Sequence, residues 1–302
     1  MVDGALLLDK PLGLSSNAAL QRAKRVYRAA KAGHAGTLDP LASGLLLVLF
    51  GEATKFAGPL LDADKEYLAT LKLGARTTTG DAEGEVVSRR QVDIGNLAGV
   101  LERFRGEIEQ VPPMHSALKH GGTPLYRLAR RGEEVERSPR RVRISTLELL
   151  KSSTDVLDVR VVCSKGTYIR VLAQDIGEAL GCGAHLSALR RTGSGRFRIG
   201  QASTLEELEA LDPGARASRL IPLPVLVEDL PHAELGAADE AKLRQGQALK
   251  ISGLHAGLCA VVRPDGALIG LGSADGAGSL KPLRLTQAAE KHLKSAVHEK
   301  RE

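Results

Sequence analysis

A glycine-rich turn with one acid at its centre is the feature that most constrains this chain. Residues 33–44 read Gly-His-Ala-Gly-Thr-Leu-Asp-Pro-Leu-Ala-Ser-Gly, and the apolar block Leu45–Phe50 follows at once. Asp-Pro before an apolar run is typical of a helix start, with the carboxylate capping a backbone N–H and proline at the first helical position. The glycines instead favour a tightly bent loop, a kind of segment that often carries binding and catalysis. In both interpretations Asp39 is the only ionisable side chain between His34 and Glu52.

Composition and charge restrict the class of protein. The 302 residues are enough for a sizeable core and for two domains. A formal net charge of +6 and a pI of about 9.3 favour polyanionic partners. The three cysteines are scattered without a C-x-x-C pair, so they indicate neither a disulfide framework nor a zinc site. The N-terminus lacks a signal-peptide pattern and no apolar run nears the roughly 20 residues of a membrane span, so we expect a cytoplasmic protein without membrane segments.

Hydrophobic periodicity predicts both strands and helices along the chain. Alternating or continuous apolar runs predict strands at 4–9, 67–73, 142–146, 157–163, 258–262 and 267–270. Repeats at helical spacing predict helices that start at Ser15 or Ser16, cover 97–108, and run from 169 to a stop at Gly181. Prolines in 220–224 and a glycine-rich stretch after residue 231 indicate a boundary before a small β-rich module.

Positive charge is concentrated in three segments. Residues 22–31 carry five basic residues and no acid, 119–143 carry eight against three acids, and 186–198 carry four arginines and no acid. Either a surface that faces phosphates or a solvated face explains such runs. Prolines 112 and 113 exclude regular structure through the start of 110–143, which we interpret as a candidate insertion that grips RNA.

Four motifs, in order along the chain, resemble those of the TruB family of tRNA pseudouridine synthases. They are Asp9–Asn17, Gly33–Gly44, Lys65–Tyr67 with Leu73-Gly74, and Ser164–Arg170. The resemblance implies a pseudouridine-synthase fold of the α+β class, in which helices flank a mixed, largely antiparallel central sheet. It also implies a catalytic domain over 1–228 that includes the 110–143 insertion, a PUA-like RNA-binding domain over 229–286, and a polar tail over 287–302.

The reaction that the resemblance implies is isomerisation of uridine to pseudouridine at position 55, in the T-loop of tRNA. The N1–C1′ bond breaks, the base turns and C5 bonds to C1′ without redox change, so neither a cofactor nor a metal is expected. Glycosidases use two carboxylates, but uracil leaves as a resonance-stabilised anion, so one carboxylate can suffice. Asp39 would attack C1′ covalently or remove the C2′ proton to give a glycal, and the sequence leaves both routes open.

Arg170 is the predicted partner of Asp39. It falls in the first turn of a predicted helix, where the positive end of the helix dipole disfavours a cation unless an anion is near. A bidentate guanidinium would hold the Asp39 carboxylate ionised and aimed. The resemblance supports this pairing.

The resemblance also assigns contacts with the substrate to five residues. They are Lys10, His34, Tyr67, Tyr168 and Leu189. The target uridine must leave its stack to be reached, and by resemblance it then stacks on Tyr67 while His34 fills the space that it vacates. From the residues alone, the two tyrosines and Leu189 also fit an ordinary core, and His34 fits an ordinary surface loop.

The sequence leaves three functions open. The first is a stand-alone enzyme, expected to be a monomer that binds the T-arm of tRNA without an obligatory protein partner. The second is a guide-RNA-dependent relative that needs partner proteins, against which the basic insertion argues. The third is an RNA-binding chaperone that helps tRNA to fold, with catalysis as a secondary activity.

Overall fold

The structure is a computed structural model that describes residues 2–287. Its strands are β1 Gly4–Lys10, β2 Ala32–Ala35, β3 Ala42–Phe50, β4 Lys65–Leu73, β5 Ala75–Thr77, β6 Val86–Arg89, β7 Gly106–Gln110, β8 Lys119–His120, β9 Thr123–Pro124, β10 Arg140–Ser152, β11 Val156–Cys163, β12 Ala184–Ser194, β13 Phe197–Arg198, β14 Leu220–Ile221, β15 His232–Glu234, β16 Leu249–Lys250, β17 Gly257–Val262, β18 Leu268–Ala274 and β19 Ser279–Leu285. The α-helices are α1 Ser16–Val26, α2 Ala57–Asp62, α3 Leu97–Arg103, α4 Leu125–Ala129, α5 Ile169–Ala179, α6 Leu205–Ala210, α7 Pro213–Ala217 and α8 Ala237–Arg244, and short 3-10 helices cover Gly51–Phe56, Ile199–Gln201 and Leu223–Val227.

The larger sheet confirms the mixed, largely antiparallel arrangement. Its strand order is β14-β1-β3-β12-β4-β11-β10-β7, with β2 on β3 and β13 on β12, and only the β3–β12 pairing in it is parallel. Apolar side chains cover both faces of β3, because α1 and α6 pack on one face and Phe56 with its neighbours packs on the other. On β4 the side chains alternate, so that one face packs under α5 and the other faces solvent.

The interpretation of Asp-Pro as a helix start is wrong. The apolar run after it is β3, which pairs with β1 along one edge. Its other edge is shared: β12 pairs with residues 42–44 and β2 pairs with residues 47–50. Because partners lie on both edges and apolar layers on both faces, a strand satisfies the backbone and buries the run. Residues 36–41 therefore form a loop outside the sheet, at the point along β3 where its partner changes from β2 to β12.

Most of the predicted elements are confirmed, and one is partly wrong. Helix α1 follows Ser15, whose side chain accepts a hydrogen bond from the Ala18 N–H, and α5 ends before Gly181 in the left-handed region at φ 78°. The predicted helix over 97–108 ends at Arg103. Gly106 takes φ 83°, and 106–110 pair with β10 as strand β7, so tertiary pairing overrides the helical spacing of Ile108.

The β-rich C-terminal module predicted from the sequence is present. Its five strands are ordered β15-β17-β18-β19-β16, and the strands predicted at 258–262 and 267–270 fall on β17 and β18. Ala260 and Leu271 of this sheet join the same apolar cluster as Phe56, so the module packs against the first sheet. The predicted tail over 287–302 lies outside the described residues except for Gln287. No helix in residues 2–287 is long and apolar enough to cross a membrane.

Candidate active site

Asp39 lies in the loop that leaves the sheet between β2 and β3. The side-chain hydroxyl of Ser16, at the start of α1, accepts from the Leu38 N–H at 2.7 Å and donates to the Leu38 carbonyl at 2.9 Å. Where the loop rejoins the sheet, Gly44 has φ 100°, and a Cβ there would stand 2.3 Å from the Arg191 carbonyl oxygen. Only glycine permits this approach of β12. The loop backbone is therefore fixed at both ends.

Arg191 holds this loop from inside the protein. Its side chain is 1% exposed, and it donates to the Leu45 carbonyl from Nε at 2.6 Å and to the Gly36 carbonyl from Nη2 at 3.1 Å. The guanidinium thus joins the two sides of the Asp39 loop. The interpretation of this arginine as a surface contact to phosphate is wrong, because its side chain is buried and two of its nitrogens donate to loop carbonyls.

Asp39 and Arg170 form an ion pair. Arg170 Nη2 lies 3.0 Å from Asp39 Oδ2, with the arginine side chain 7% exposed and the aspartate side chain 43% exposed. Arg170 also donates from Nη1 to the Thr79 carbonyl at 3.1 Å and from Nη2 to the His115 carbonyl at 2.7 Å. The predicted bidentate fork on Asp39 is absent because these carbonyls take the Nη donors. One buried cation therefore aims an accessible carboxylate.

A second carboxylate, Asp81, faces the same guanidinium. Its Oδ2 lies 3.6 Å from Arg170 Nε, and its side chain is buried. Its Oδ1 accepts from the Thr79 hydroxyl at 2.5 Å and from the Glu83 N–H at 3.1 Å. Arg170 is thus placed between a buried acid that is held in place and an exposed acid that can meet a substrate.

Two lobes of one cleft meet at Asp39. The first lobe is a cavity of about 290 Å³ whose lining includes Asp39, Arg170, Tyr67, Tyr168 and Leu189. Tyr67 and Leu189 reach it from neighbouring strands, and Tyr168 precedes the first residue of α5. Burial raises the pKa of both tyrosine hydroxyls, so both stay protonated at neutral pH. The lining also includes the basic residues Lys65, Lys165 and Arg191, so the lobe combines aromatic and apolar walls with positive charge around one carboxylate. Aromatic and apolar walls fit a flat base.

The second lobe shares Asp39 and Arg170 with the first. It has a volume of about 550 Å³, and its lining includes His34, Ser16, Tyr126 and Arg130. His34 lies on β2 opposite Val48, and burial, followed by the charge of Arg191, lowers its pKa. The imidazole is therefore neutral at neutral pH. His34 lines the second lobe and Tyr67 the first, and Asp39 lines both.

Lys10 lies outside both lobes, which corrects its predicted place among the substrate contacts. Its side chain is 0% exposed, and its ammonium donates to the Pro11 and Leu14 carbonyls at 2.9 and 2.6 Å. Burial lowers its pKa to about 8, although the charge of Asp39 acts in the opposite direction. The ammonium therefore holds the turn that leads into α1.

Three residues of the site were not singled out by the sequence. They are Asp81, Lys65 and Gln110, all buried. Lys65 donates to the Leu60, Leu61 and Ala63 carbonyls and its pKa falls to about 8, chiefly through burial. Asp81 faces Arg170 and Gln110 pairs with Tyr168, partners at least 58 residues away in the sequence, so spacing along the chain carried no signal for these two. Lys65 instead binds carbonyls two to five residues before it. Within residues 2–287, no three His, Cys, Asp or Glu side chains form a group that could hold a metal ion.

Family models cover most of the chain. The model described as "TruB family pseudouridylate synthase (N terminal domain)" matches residues 24–169. The model described as "tRNA pseudouridylate synthase B C-terminal domain" matches 170–222, and "Pseudouridine synthase II TruB, C-terminal" matches 231–286. The first boundary falls beside Arg170, so the two sides of the ion pair come from different matched regions.

Curated relatives and solved structures agree with these matches. The chain is 55% identical over 293 residues to the tRNA pseudouridine synthase B of Dechloromonas aromatica (strain RCB). This alignment covers 96% of this chain and 97% of that protein. It is 54% identical over 286 residues to the tRNA pseudouridine synthase B of Thiobacillus denitrificans (strain ATCC 25259 / T1), and this alignment covers 94% of this chain and 96% of that protein. A chain in a crystal structure of a Cbf5–Nop10–Gar1 complex aligns with a TM-score of 0.71 at 29% identity, over 94% of this chain and 84% of that one. The expected pseudouridine-synthase fold is thereby confirmed.

Proposed function

Because the chain belongs to the TruB family of pseudouridylate synthases and isomerises uridine to pseudouridine in tRNA, we propose that Asp39 is the carboxylate that carries the reaction. The observation that supports this most is the ion pair itself. Asp39 is a half-exposed acid that lines both lobes, and Nη2 of the buried Arg170 lies 3.0 Å from its Oδ2. The arginine orients the carboxylate toward the cleft, as the position of a nucleophile or base requires.

In the proposed reaction, the target uridine leaves its stack and enters the first lobe. Its base lies against Tyr67, with Tyr168 and Leu189 as further walls. His34 lines the second lobe, and in this proposal it takes the space that the base leaves. The walls of the first lobe hold the detached uracil beside the sugar, so that it rejoins the sugar before it escapes.

The chemistry balances without a cofactor. Asp39 attacks C1′, or takes the C2′ proton, and the N1–C1′ bonding pair leaves with uracil as an anion stabilised by its two carbonyls. The base turns, C5 bonds to C1′, and Asp39 leaves C1′ or returns its proton to C2′. Loss of the C5 proton and protonation of N1 complete an isomerisation with no net gain or loss of atoms.

We further propose that the substrate position is uridine 55 of the T-loop, and that the protein acts as a monomer in the cytoplasm without an obligatory protein partner. The tRNA pseudouridine synthase B relatives match at 54–55% identity, against 29% for the chain in the Cbf5–Nop10–Gar1 complex. Residues 1–228 act as the catalytic domain and 229–286 as the RNA-binding module in this proposal. Exposed basic residues in 119–143 beside the cleft supply direct contacts to phosphates.

Purified protein and an unmodified tRNA transcript test this proposal. We expect conversion of the T-loop uridine alone, mapped at single-nucleotide resolution, with no other protein or guide RNA present. A transcript with cytidine at that position is the control and should gain no pseudouridine. Conversion at another position would contradict the proposed site, and dependence on a guide RNA would contradict the stand-alone enzyme.

A further inference from the structure

Gln110 occupies an unusual place at the root of the 110–143 segment. It is the last residue of β7, just before the two prolines that take the chain out of the sheet, and it is 2% exposed. Its side-chain amide pairs with both backbone groups of Tyr168. The Tyr168 N–H donates to Gln110 Oε1 at 3.0 Å, and Gln110 Nε2 donates to the Tyr168 carbonyl at 3.3 Å. The side chain therefore extends the sheet to the start of α5.

The two hydrogen bonds are not equivalent. The Tyr168 carbonyl also accepts the Leu172 N–H at 3.0 Å, as the first bond of the helix. The Tyr168 N–H lies ahead of the helix, where the helix supplies no acceptor. Gln110 Oε1 therefore fixes the peptide plane that enters α5. Arg170 follows two residues later, so a rotation of this plane would move both the Tyr168 ring and the Arg170 guanidinium.

The same segment also contacts the catalytic arginine directly. Arg170 Nη2 donates to the His115 carbonyl at 2.7 Å, and the same nitrogen is the one that faces Asp39. Between Gln110 and His115 the chain passes through Pro112 and Pro113, which restrict its backbone. The root of the segment thus touches α5 at two points, one at Tyr168 and one at Arg170.

We propose that Gln110 is a positioning residue for the isomerisation. It couples the root of the basic segment to the orientation of Tyr168 and Arg170, and so affects the chemical step rather than the affinity for tRNA. This inference rests on the proposed roles of Asp39 and Arg170. Its physical basis is geometric, since misplacing a catalytic group by about 1 Å can cost about 100-fold in rate.

Two substitutions separate positioning from simple packing. Gln110→Met keeps the length of the side chain and removes both hydrogen bonds. Gln110→Glu keeps the acceptor for the Tyr168 N–H and loses only the longer bond to the Tyr168 carbonyl, which the Leu172 N–H still satisfies. The added charge is favoured at the start of a helix. The matched control is Glu109→Met, on the neighbouring exposed residue of β7. It makes the same kind of change to the edge strand without touching α5.

The experiment measures single-turnover pseudouridine formation and tRNA affinity for all four proteins at one temperature. We expect Gln110→Met to lose about 10- to 100-fold in single-turnover rate, with the Kd for tRNA within about twofold of the wild-type value. Gln110→Glu should recover most of the rate, and Glu109→Met should match the wild type. Amide hydrogen exchange at Tyr168 should become faster in Gln110→Met, while exchange within α5 from Leu172 onward stays unchanged.

Two results would overturn the proposal. One is a Gln110→Met rate within about twofold of wild type. The other is an equal loss of rate in Gln110→Glu and Gln110→Met, which would mean that side-chain packing and not the acceptor matters. A failure of the proposed function is recognised separately, because the wild-type protein would then form no pseudouridine at the expected position. The amide exchange at Tyr168 is independent of activity.

Discussion

The loop that carries Asp39 and the segment 110–143 flank the same cleft, but they are built in opposite ways. Hydrogen bonds from Ser16 and Arg191 and the close contact at Gly44 hold the loop. Between β7 and β10 the segment contains the two-residue strands β8 and β9 and the five-residue helix α4, and most of its basic side chains are exposed. Catalytic groups must hold a fixed geometry, whereas contacts to phosphates tolerate movement. We infer that the loop performs chemistry and the segment grips RNA.

The largest effect should come from the buried support of the loop. Arg191→Met leaves the Leu45 and Gly36 carbonyls without their donor, so we expect unfolding free energy to fall by about 3 kcal/mol and activity to be lost. The control is Arg190→Met, at the residue immediately before Arg191. Arg190 pairs with Asp9 at 2.6 Å at a partly exposed site, so its loss should cost at most about 1 kcal/mol. Urea denaturation measures the unfolding free energy of both variants. An equal loss in the two variants would contradict the special role of Arg191.

A smaller effect on stability and a specific effect on rate should follow from Asp81→Asn. The amide keeps the shape but removes the charge that faces Arg170 Nε, so the guanidinium is less firmly placed beside Asp39. We expect the single-turnover rate to fall by about 10- to 100-fold with tRNA affinity retained. Asp93→Asn, at an exposed site, should leave the rate unchanged. A wild-type rate in Asp81→Asn would remove Asp81 from the site.

The exposed basic residues of the segment should affect affinity and not rate, unlike Gln110 at its root. Replacing Lys119, Arg127 and Arg131 together by Gln should weaken tRNA binding by about tenfold at physiological salt. The slope of log Kd against log salt concentration should fall by up to about 3. The rate at saturating tRNA should not change. The control replaces Lys24, Arg25 and Arg28 by Gln. These residues lie at or just after the C-terminal end of α1, away from Ser16, and Arg22 of the same helix already pairs with Glu209. An equal loss in this control would mean that net charge alone binds tRNA.

The smallest effect should be a pH dependence that comes from His34. Burial lowers its pKa in the folded protein below the value of about 6.5 found in unfolded chains. Between the two values the unfolded chain binds more protons, so unfolding free energy decreases as pH falls through this window. Urea denaturation at pH 7.5 and pH 5.5 should show a smaller decrease in His34→Gln than in the wild type. An equal decrease would mean that His34 titrates normally.

Local patterns predicted the parts of this site that depend on local physics. The spacing of apolar residues predicted α1, β4 and α5, and an arginine in the first turn of α5 predicted that an anion lies near it. The roles of Arg191 and Asp81 depend on partners more than 80 residues away in the sequence, so no local pattern distinguishes them from surface charges. The strand after Asp39 was ambiguous for the same reason, because its neighbours decide between strand and helix.

The most direct measurement compares wild type and Asp39→Asn on the same tRNA transcript. Both pseudouridine formation at single turnover and equilibrium binding are followed for each protein. If one carboxylate breaks and remakes the bond between sugar and base, the variant forms no pseudouridine while its Kd stays within about threefold of wild type. Pseudouridine formed by Asp39→Asn at a measurable rate would contradict the account.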